Sequence, residues 1–207
     1  HFIPMSALDG DNVVNPSEHM PWYKGQTLMS LFETVEIAKD RNLKDLRFPV
    51  QYVNRPNLNF RGFCGTIASG IVRKGDQIVV LPSQKKSRVK SIVTYDEELE
   101  SAYTDMAVTI TLEDEIDISR GDMIVHSDNY PVVTERFRAT IVWMAEQPML
   151  PGKMYDFKLG TKTVTGAVKT LKHQIDVNTL EKRPAPTLEL NSIGVCEVEV
   201  DQLVCVD

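Results

Sequence analysis

The sequence lacks long apolar runs and has few cysteines. No stretch approaches the roughly 20 apolar residues that a membrane-spanning helix needs, and no secretory signal pattern opens the chain. The three cysteines are odd in number and form no C-x-x-C pair, which disfavours a disulfide framework or a zinc site. We therefore expect a cytoplasmic protein in which Cys64, Cys196 and Cys205 are reduced, buried, small apolar residues.

The common catalytic motifs are also missing. The sequence has no G-x-x-x-x-G-K-[ST] phosphate loop, no G-x-S-x-G nucleophile elbow and no H-E-x-x-H zinc motif. The four histidines, at positions 1, 19, 126 and 173, do not have the spacing of metal ligands. The acidic stretches 96–100 and 113–117 follow no EF-hand pattern, and we interpret them as solvated loops. We predict no catalytic residue and no metal ligand in this chain.

The composition is that of an ordinary folded protein with an excess of acidic residues. Charged residues make up 25% and hydrophobic residues 42% of the 207 residues, which is enough apolar material for a core. The formal net charge of −6 argues against a nucleic-acid-binding protein, because such proteins usually have a basic face.

The first forty residues predict the end of an α/β domain. Residues 1–5 are typical of the end of a strand, and the polar turn 9–12 follows them. An amphipathic helix is predicted where four apolar residues share one helical face: Leu28, Leu31, Phe32 and Val35. The polar residues 38–46 are predicted to form a linker.

From residue 48 onward, apolar residues recur with the two-residue period of β-strands. Gly, Pro and Asp turns separate these segments into two groups of short strands. The first group is predicted at residues 48–52, 63–72, 77–81, 89–95, 106–112 and 123–126. The second group is predicted at residues 137–143, 154–159, 163–171 and 194–206. Many short strands with almost no helix indicate barrels or sandwiches, so the sequence predicts a mainly β fold.

Two short motifs are candidates for ligand binding. Arg120-Gly121-Asp122 matches a cell-adhesion tripeptide, but the similar sequence Arg73-Lys74-Gly75-Asp76 also precedes a predicted strand. A turn used twice to begin a strand explains both copies, and we favour it. Ser6-Ala7-Leu8 is the stronger candidate, because small residues after a strand let backbone N–H groups approach a flat ligand. A tight turn without a ligand is the alternative interpretation.

Taken in order, these segments resemble the translation-factor GTPases such as elongation factor Tu, in which a Ser-Ala-Leu or Ser-Ala-Lys loop contacts the guanine carbonyl. Longer stretches narrow the resemblance to the large, GTP-binding subunits of bacterial sulfate adenylyltransferase. These stretches are SALDGDNVV (6–14), MPWY (20–23), FPVQYVNRP (48–56), DEIDISRGD (114–122) and VWMAEQP (142–148). They span most of the chain, and the resemblance thins after about residue 180.

The resemblance implies two consecutive β-barrel domains of the translation-factor domain II and III type, preceded by the last strand and helix of an α/β GTPase domain. Residues 1–40 would be the GTPase-domain remnant, 41–130 the first barrel and 131–207 a second barrel that we expect to be truncated. We expect the phosphate loop, both switch regions and the Asn-Lys-x-Asp element upstream of residue 1. Only Ser6, Ala7 and Leu8 match a guanine-contacting element of the family.

The resemblance also implies a function for the parent protein. With a small adenylyl-transferring subunit, it would convert ATP and sulfate to adenosine 5′-phosphosulfate and pyrophosphate, driven by GTP hydrolysis with Mg²⁺. The chain by itself is expected to bind no cofactor and to be inactive, without nucleic-acid or membrane partners. Two alternatives stay open: a translation-factor-like RNA-binding module, which predicts a basic stripe and salt-dependent RNA binding, and a non-catalytic interaction scaffold.

Overall fold

The computed structural model describes residues 2–35, 41–57 and 60–207. The chain divides into two compact units, residues 1–41 and residues 42–207. Among the described residues, no helix is both long and apolar enough to cross a membrane.

The first unit is rich in loops and contains one short helix. Helix α1 (Leu28–Thr34) lies within the segment predicted to be helical, and the chain becomes extended at Val35. The side-chain oxygen of Thr27, the N-cap, accepts a hydrogen bond from the N–H of Ser30. This bond satisfies one of the N–H groups that a helix leaves unpaired at its start. No residue of α1 is fully buried, and Phe32 on its apolar face is 60% exposed.

Two predictions for the first forty-six residues are wrong where the structure describes them. Residues 2–5 form no strand, because an extended segment needs a hydrogen-bonded neighbour and none is present in the described part of this unit. The predicted linker, residues 38–46, extends too far along the chain, because Leu46 is fully buried in the core of the second unit. Position 1 and residues 38–40 lie outside the described residues.

Ten strands make up the first half of the second unit. Eight of them form one antiparallel sheet: β1 (Phe48–Pro49), β2 (Tyr52–Asn57), β3 (Phe60–Thr66), β5 (Gln77–Leu81), β6 (Lys85–Val93), β7 (Glu98–Leu99), β9 (Ala107–Leu112) and β10 (Met123–His126). The other two, β4 (Ile71–Arg73) and β8 (Ser101–Tyr103), pair with each other. The order across the sheet is β1-β10-β5-β6-β9-β3-β2, and β7 pairs with β6.

The inward side chains of this sheet form one hydrophobic core. Its largest fully buried members include Phe48, Phe63 and Ile110, and burying each such side chain contributes about 1.5–3 kcal/mol. The sheet curls around this core until β1 lies against β3. Gly65 is required at that approach, because an added Cβ would stand 2.6 Å from the carbonyl oxygen of Pro49.

Five strands form the second sheet: β11 (Val132–Trp143), β12 (Met154–Leu159), β13 (Lys162–Ile175), β14 (Lys182–Arg183) and β15 (Ser192–Val206). The order is β11-β15-β13-β12, and β14 extends the far end of β13. A second core lies on the inner face, where Met149, Leu188 and Val198 are buried. The predicted strands of this half are present, and the mainly β prediction is confirmed. The division into two barrels at residue 130 stays a prediction.

Two identical turns begin β5 and β10, at the two Gly-Asp sequences. In the first turn the N–H of Arg73 donates to Asp76 Oδ2 (2.7 Å), and in the second the N–H of Ser119 donates to Asp122 Oδ2 (2.8 Å). The glycine of each turn has a positive φ, 85° and 97°, which glycine adopts without strain. The interpretation of the Arg-Gly-Asp sequence as a repeated turn is therefore confirmed.

A buried arginine joins the two sheets of the second unit. Arg47 is 7% exposed, and its Nη2 donates to Asp207 Oδ1 (2.7 Å) and to Asn129 Oδ1 (3.2 Å). Apolar side chains from both sheets also pack against one another in a small cluster: Val79, Leu81, Val125, Val133 and Cys205. The two sheets therefore share both a polar link and a small apolar contact.

Candidate functional site

The Ser6-Ala7-Leu8 loop is the tip of a tight turn in the first unit. The N–H of Ser6 donates to the carbonyl oxygen of Asp11 (3.3 Å), which closes the turn. The Ser6 hydroxyl donates to Asp9 Oδ2 (2.8 Å) and accepts from the Asp9 N–H (3.3 Å). Ser6 is half-buried, whereas Ala7 and Leu8 are exposed. The structure therefore presents the middle and the end of the predicted motif to solvent.

The backbone at the tip of this loop has free donors. The N–H groups of Ala7 and Leu8 form no hydrogen bond with any other described residue. Gly10, later in the same turn, has φ of 76° and open space around it. Two adjacent free N–H groups can donate to one carbonyl oxygen of a planar ligand, and the small Ala7 side chain leaves room for it.

Asn12 holds the loop in place. Its side chain is buried and satisfied: Nδ2 donates to the carbonyl oxygen of Pro4 (2.8 Å), and Oδ1 accepts from the N–H of Ser17 (2.8 Å). Its backbone carbonyl accepts from the N–H of Leu28 at the start of α1 (2.9 Å). Asn12 also has φ of 56°, a left-handed conformation that Asn tolerates better than most residues. One residue thus connects both sides of the loop to the helix.

An ion pair lies beside the turn. His19 Nδ1 is 3.2 Å from Asp11 Oδ2. The hydrogen bond with Asp11, and then its charge, raise the pKa of His19. A hydrogen bond from the Ser17 side chain and then the interaction with His19 lower the pKa of Asp11. The pair therefore favours a charged His19 and a charged Asp11 in the folded chain.

The arrangement is suited to binding and not to covalent chemistry. The hydroxyl of Ser6 is engaged with Asp9, and the hydroxyl of Ser17 accepts from the N–H groups of His19 and Met20. Across the part of the chain that the structure describes, no group of three or more His, Cys, Asp or Glu side chains could hold a metal ion. The loop can recognise a carbonyl acceptor through its backbone, and nothing in its geometry positions a nucleophile.

The three predicted site residues lie together, but the residues that support them were not identified from the sequence. At Asp9, Asp11 and Asn12 the sequence predicts only a polar turn. The Asp-Gly-Asp-Asn sequence could have indicated the conformation of this turn, because Gly and Asn are the residues that adopt positive φ in turns, as Gly10 and Asn12 do here. The bond from the Asn12 side chain to the Pro4 carbonyl, eight residues earlier, has no signal in the local sequence pattern.

The three cysteines are free, but their burial differs from the prediction. Cys196 is buried, whereas Cys64 and Cys205 are half-buried. Loss of solvent contact raises the pKa of the Cys196 and Cys205 thiols. Both thiols therefore stay protonated and unreactive at neutral pH.

Sequence comparison finds close relatives over the whole chain. The chain is 58% identical to sulfate adenylyltransferase subunit 1 of Teredinibacter turnerae over 207 residues, which is all of this chain and 44% of that protein. It is 64% identical over 194 residues to the bifunctional enzyme CysN/CysC of Rhodopirellula baltica, covering 94% of this chain and 30% of that protein. A family model described as GTP-eEF1A C-terminal domain-like matches residues 136–207.

Solved structures show the same fold at low sequence identity. The chain is similar to sup35 complexed with GDP (TM-score 0.73, 21% identity, 99% of this chain and 51% of that one). It is also similar to the bacterial selenocysteine-specific elongation factor EF-Sec (TM-score 0.62, 20% identity, 87% of this chain and 27% of that one). The chain spans less than half the length of the curated relatives described above. Over its whole length the chain is therefore similar to part of sulfate adenylyltransferase subunit 1, and it has the mainly β fold of translation-factor structures.

Proposed function

We propose that this chain is the β-rich region of the GTP-binding subunit of a sulfate adenylyltransferase. The parent protein, with a small adenylyl-transferring subunit, makes adenosine 5′-phosphosulfate and pyrophosphate from ATP and sulfate, driven by GTP hydrolysis. The observation that carries the proposal is the 58% identity to sulfate adenylyltransferase subunit 1 over all 207 residues. At this identity the whole chain, and not one motif, supports the assignment.

Each domain has its own role in the proposed function. Residues 1–40 belong to the GTPase domain, 41–130 to a first barrel and 131–207 to a second barrel. The boundary between compact units at residue 41 and the start of the family match at residue 136 support this division. In the parent protein, GTP and Mg²⁺ are bound by the GTPase domain, and hydrolysis moves the barrels relative to that domain. The compartment proposed for this protein is the cytoplasm.

Within this function, Ser6, Ala7 and Leu8 form the last guanine-contacting loop. The free N–H groups of Ala7 and Leu8 support this role. In the complete subunit, Ala7→Pro removes one of these donors, and loss of one hydrogen bond is expected to weaken GTP binding about 3- to 10-fold. Ala7→Ser, which keeps the N–H, is the matched control. Equal GTP affinity for both variants, measured by calorimetry, would contradict the role of the loop.

The function itself is tested with the complete subunit and its small partner. The expected result is adenosine 5′-phosphosulfate formation that depends on both subunits and is stimulated by GTP but not by a non-hydrolysable analogue. A preparation in which GTP has no effect on product formation refutes the proposal.

The RNA-binding alternative is disfavoured by charge. Apart from the net charge of −6, the cations on the outer face of the second sheet alternate with carboxylates and form no basic stripe there. Arg136 pairs with Glu199 (2.7 Å), and Lys172 pairs with Glu197 (2.7 Å). Carboxylates at these positions repel a phosphate backbone.

A further inference from the structure

The apolar contact between the two sheets of the second unit is small and incompletely packed. The chain passes from the first sheet to the second once, through residues 127–131. On the first sheet Val79, Leu81 and Val125 are fully buried at this contact, whereas Val133 and Cys205 on the second sheet are half-buried. A cavity of about 90 Å³, lined by residues of both sheets, lies between them. Because apolar attraction has no preferred direction and the packing here is loose, this contact alone does not fix the angle between the sheets.

Arg47, directly before β1, supplies bonds that do have a direction. Its Nε donates to Asp207 Oδ2 (2.9 Å) and its Nη2 to Asp207 Oδ1 (2.7 Å), so the guanidinium contacts both carboxylate oxygens just after β15. Its Nη1 donates to the carbonyl oxygens of Leu46 (2.9 Å) and Asn129 (3.3 Å). Two parallel N–H bonds from a planar guanidinium to a carboxylate specify the orientation of both groups. Arg47 therefore binds the end of β15 and the connection between the sheets at the same time.

The burial of Arg47 makes these bonds depend on the position of both sheets. Arg47 is 7% exposed, and an arginine side chain keeps its charge in a protein. A buried charge is tolerated when hydrogen-bond acceptors surround it, and here the second sheet and the connection provide most of them. A rotation of one sheet against the other would separate Arg47 from Asp207. A buried ion pair adds little net stability, and its best supported role is to select one arrangement over others.

Asp45 and Asn42 hold Asn129 in position for this contact. Asn129 Nδ2 donates to Asp45 Oδ1, and Asn42 Nδ2 donates to Asp45 Oδ2 (2.7 Å). The bond from Asn42 and then the bond from Asn129 lower the pKa of Asp45, which therefore stays a charged acceptor at neutral pH. The backbone of Arg47 is fixed as well, because its N–H donates to the carbonyl oxygen of Ser69 (3.0 Å). The guanidinium thus extends from a fixed point of the first sheet to acceptors that are themselves held in place.

We propose that Arg47 is the residue that fixes the relative orientation of the two sheets of the second unit, so that the sheets move as one body. Asp207 and Asn129 are its acceptors. The apolar contact holds the sheets together, and the planar guanidinium selects one angle between them. This role follows from contacts within the chain and does not depend on the proposed function.

Residual dipolar couplings of the backbone amides, measured by NMR in the deuterated complete subunit, test this role. Two sheets that form one body share a single alignment tensor, and the unmodified subunit is expected to show one tensor for β1–β10 and β11–β15. Arg47→Lys keeps the charge but loses the planar pair of donors, so the common tensor is expected to be lost. Arg88→Lys is the matched control, because Arg88 is exposed and donates to the Gly75 carbonyl oxygen (3.4 Å) within the first half of the unit. This control is expected to keep the common tensor.

A second variant separates orientation from folding. The Asp207 side chain is 63% exposed, so Asp207→Ala opens no cavity in either core and is expected to change the midpoint of thermal unfolding little. It removes the carboxylate that Arg47 contacts, and the common tensor is expected to be lost as in Arg47→Lys. Separate tensors in the unmodified subunit would show that the sheets are not one body. A common tensor in either folded variant would show that Arg47 does not fix their orientation, and Asp207→Ala decides this question if Arg47→Lys does not fold.

Discussion

The two compact units of this chain are stabilised by different interactions. In the described residues of the first unit, the fully buried residues are Asn12 and Thr27, and both are polar. The second unit has two extended hydrophobic cores, and its buried apolar residues begin at Leu46. Large apolar side chains of the first unit, such as Trp22 and Phe32, are mostly exposed.

The difference shows which unit opens first. A hydrogen bond contributes about 0.5–1.5 kcal/mol net, whereas burying a large apolar side chain contributes about 1.5–3 kcal/mol. The first unit depends on a few bonds centred on Asn12, so it is expected to open locally without unfolding the second unit. Four predictions test this comparison.

The largest effect is expected in the core of the first sheet. Phe48→Ala removes a fully buried ring and is expected to lower the free energy of unfolding by about 3–5 kcal/mol. Urea unfolding of the second unit measures the loss. Tyr52→Ala, at a nearby residue that is 63% exposed, is the control and is expected to change it by less than about 0.5 kcal/mol. Similar losses for both variants would show that this core does not stabilise the unit.

A smaller and local effect is expected for Asn12→Ala. The change leaves the Pro4 carbonyl and the Ser17 N–H without partners, and it is expected to cost about 1–3 kcal/mol. Amide hydrogen exchange should accelerate in residues 2–35 and stay unchanged in β3. Asn12→Gly, which permits the positive φ but lacks the amide, separates the side-chain bonds from the backbone conformation. Faster exchange in β3 of the Asn12→Ala variant as well would contradict the independent opening of the first unit.

A helix-cap change tests the other buried polar residue of the first unit. Thr27→Ala removes the acceptor for the Ser30 N–H, and it is expected to destabilise α1 by about 1 kcal/mol. Thr27→Ser keeps the oxygen and should retain most of the helix. The exchange rate of the Ser30 amide is the measurement, and equal rates in both variants would exclude a capping role.

The smallest effect concerns pH. The pKa of His19 is raised by Asp11, so its ion pair stabilises the turn fully below about pH 6.5, the unfolded value, and this contribution is lost as pH rises through the folded pKa. NMR titration of His19 should show an elevated pKa that returns toward the ordinary value in Asp11→Asn. An unshifted His19 in the unmodified chain would exclude the ion pair.

Strands with strong local signals were predicted well. Those at 77–81, 123–126 and 154–159 match β5, β10 and β12 at both ends, because their apolar residues are bounded by turn-forming residues. The ends of other strands depend on pairing with residues that are distant in the sequence. Tyr95 continues the alternation of β6, yet it is fully exposed in a turn. The short strand β14 has two exposed basic residues and no apolar signal.

The candidate site was predictable only in part. Ser6, Ala7 and Leu8 were identified through a family resemblance, and their local sequence alone equally fits a plain turn. Their guanine contact stays a prediction. The role of Asn12 depends on Pro4 and Leu28, which meet it only after folding.

The duplicated Gly-Asp turn fixes the alignment of two neighbouring strands. β5 and β10 run antiparallel, so the turns that begin them lie at opposite ends of the pair. Asp76 of one turn also lies 3.2 Å from Nε2 of His126, the last residue of β10. Sliding either strand by one position would disrupt this contact and exchange the side chains that face the core of the first sheet with those in the small apolar contact between the sheets. The contact between Asp76 and His126 thereby fixes the pair at one end, and a shifted alignment of the two strands is disfavoured.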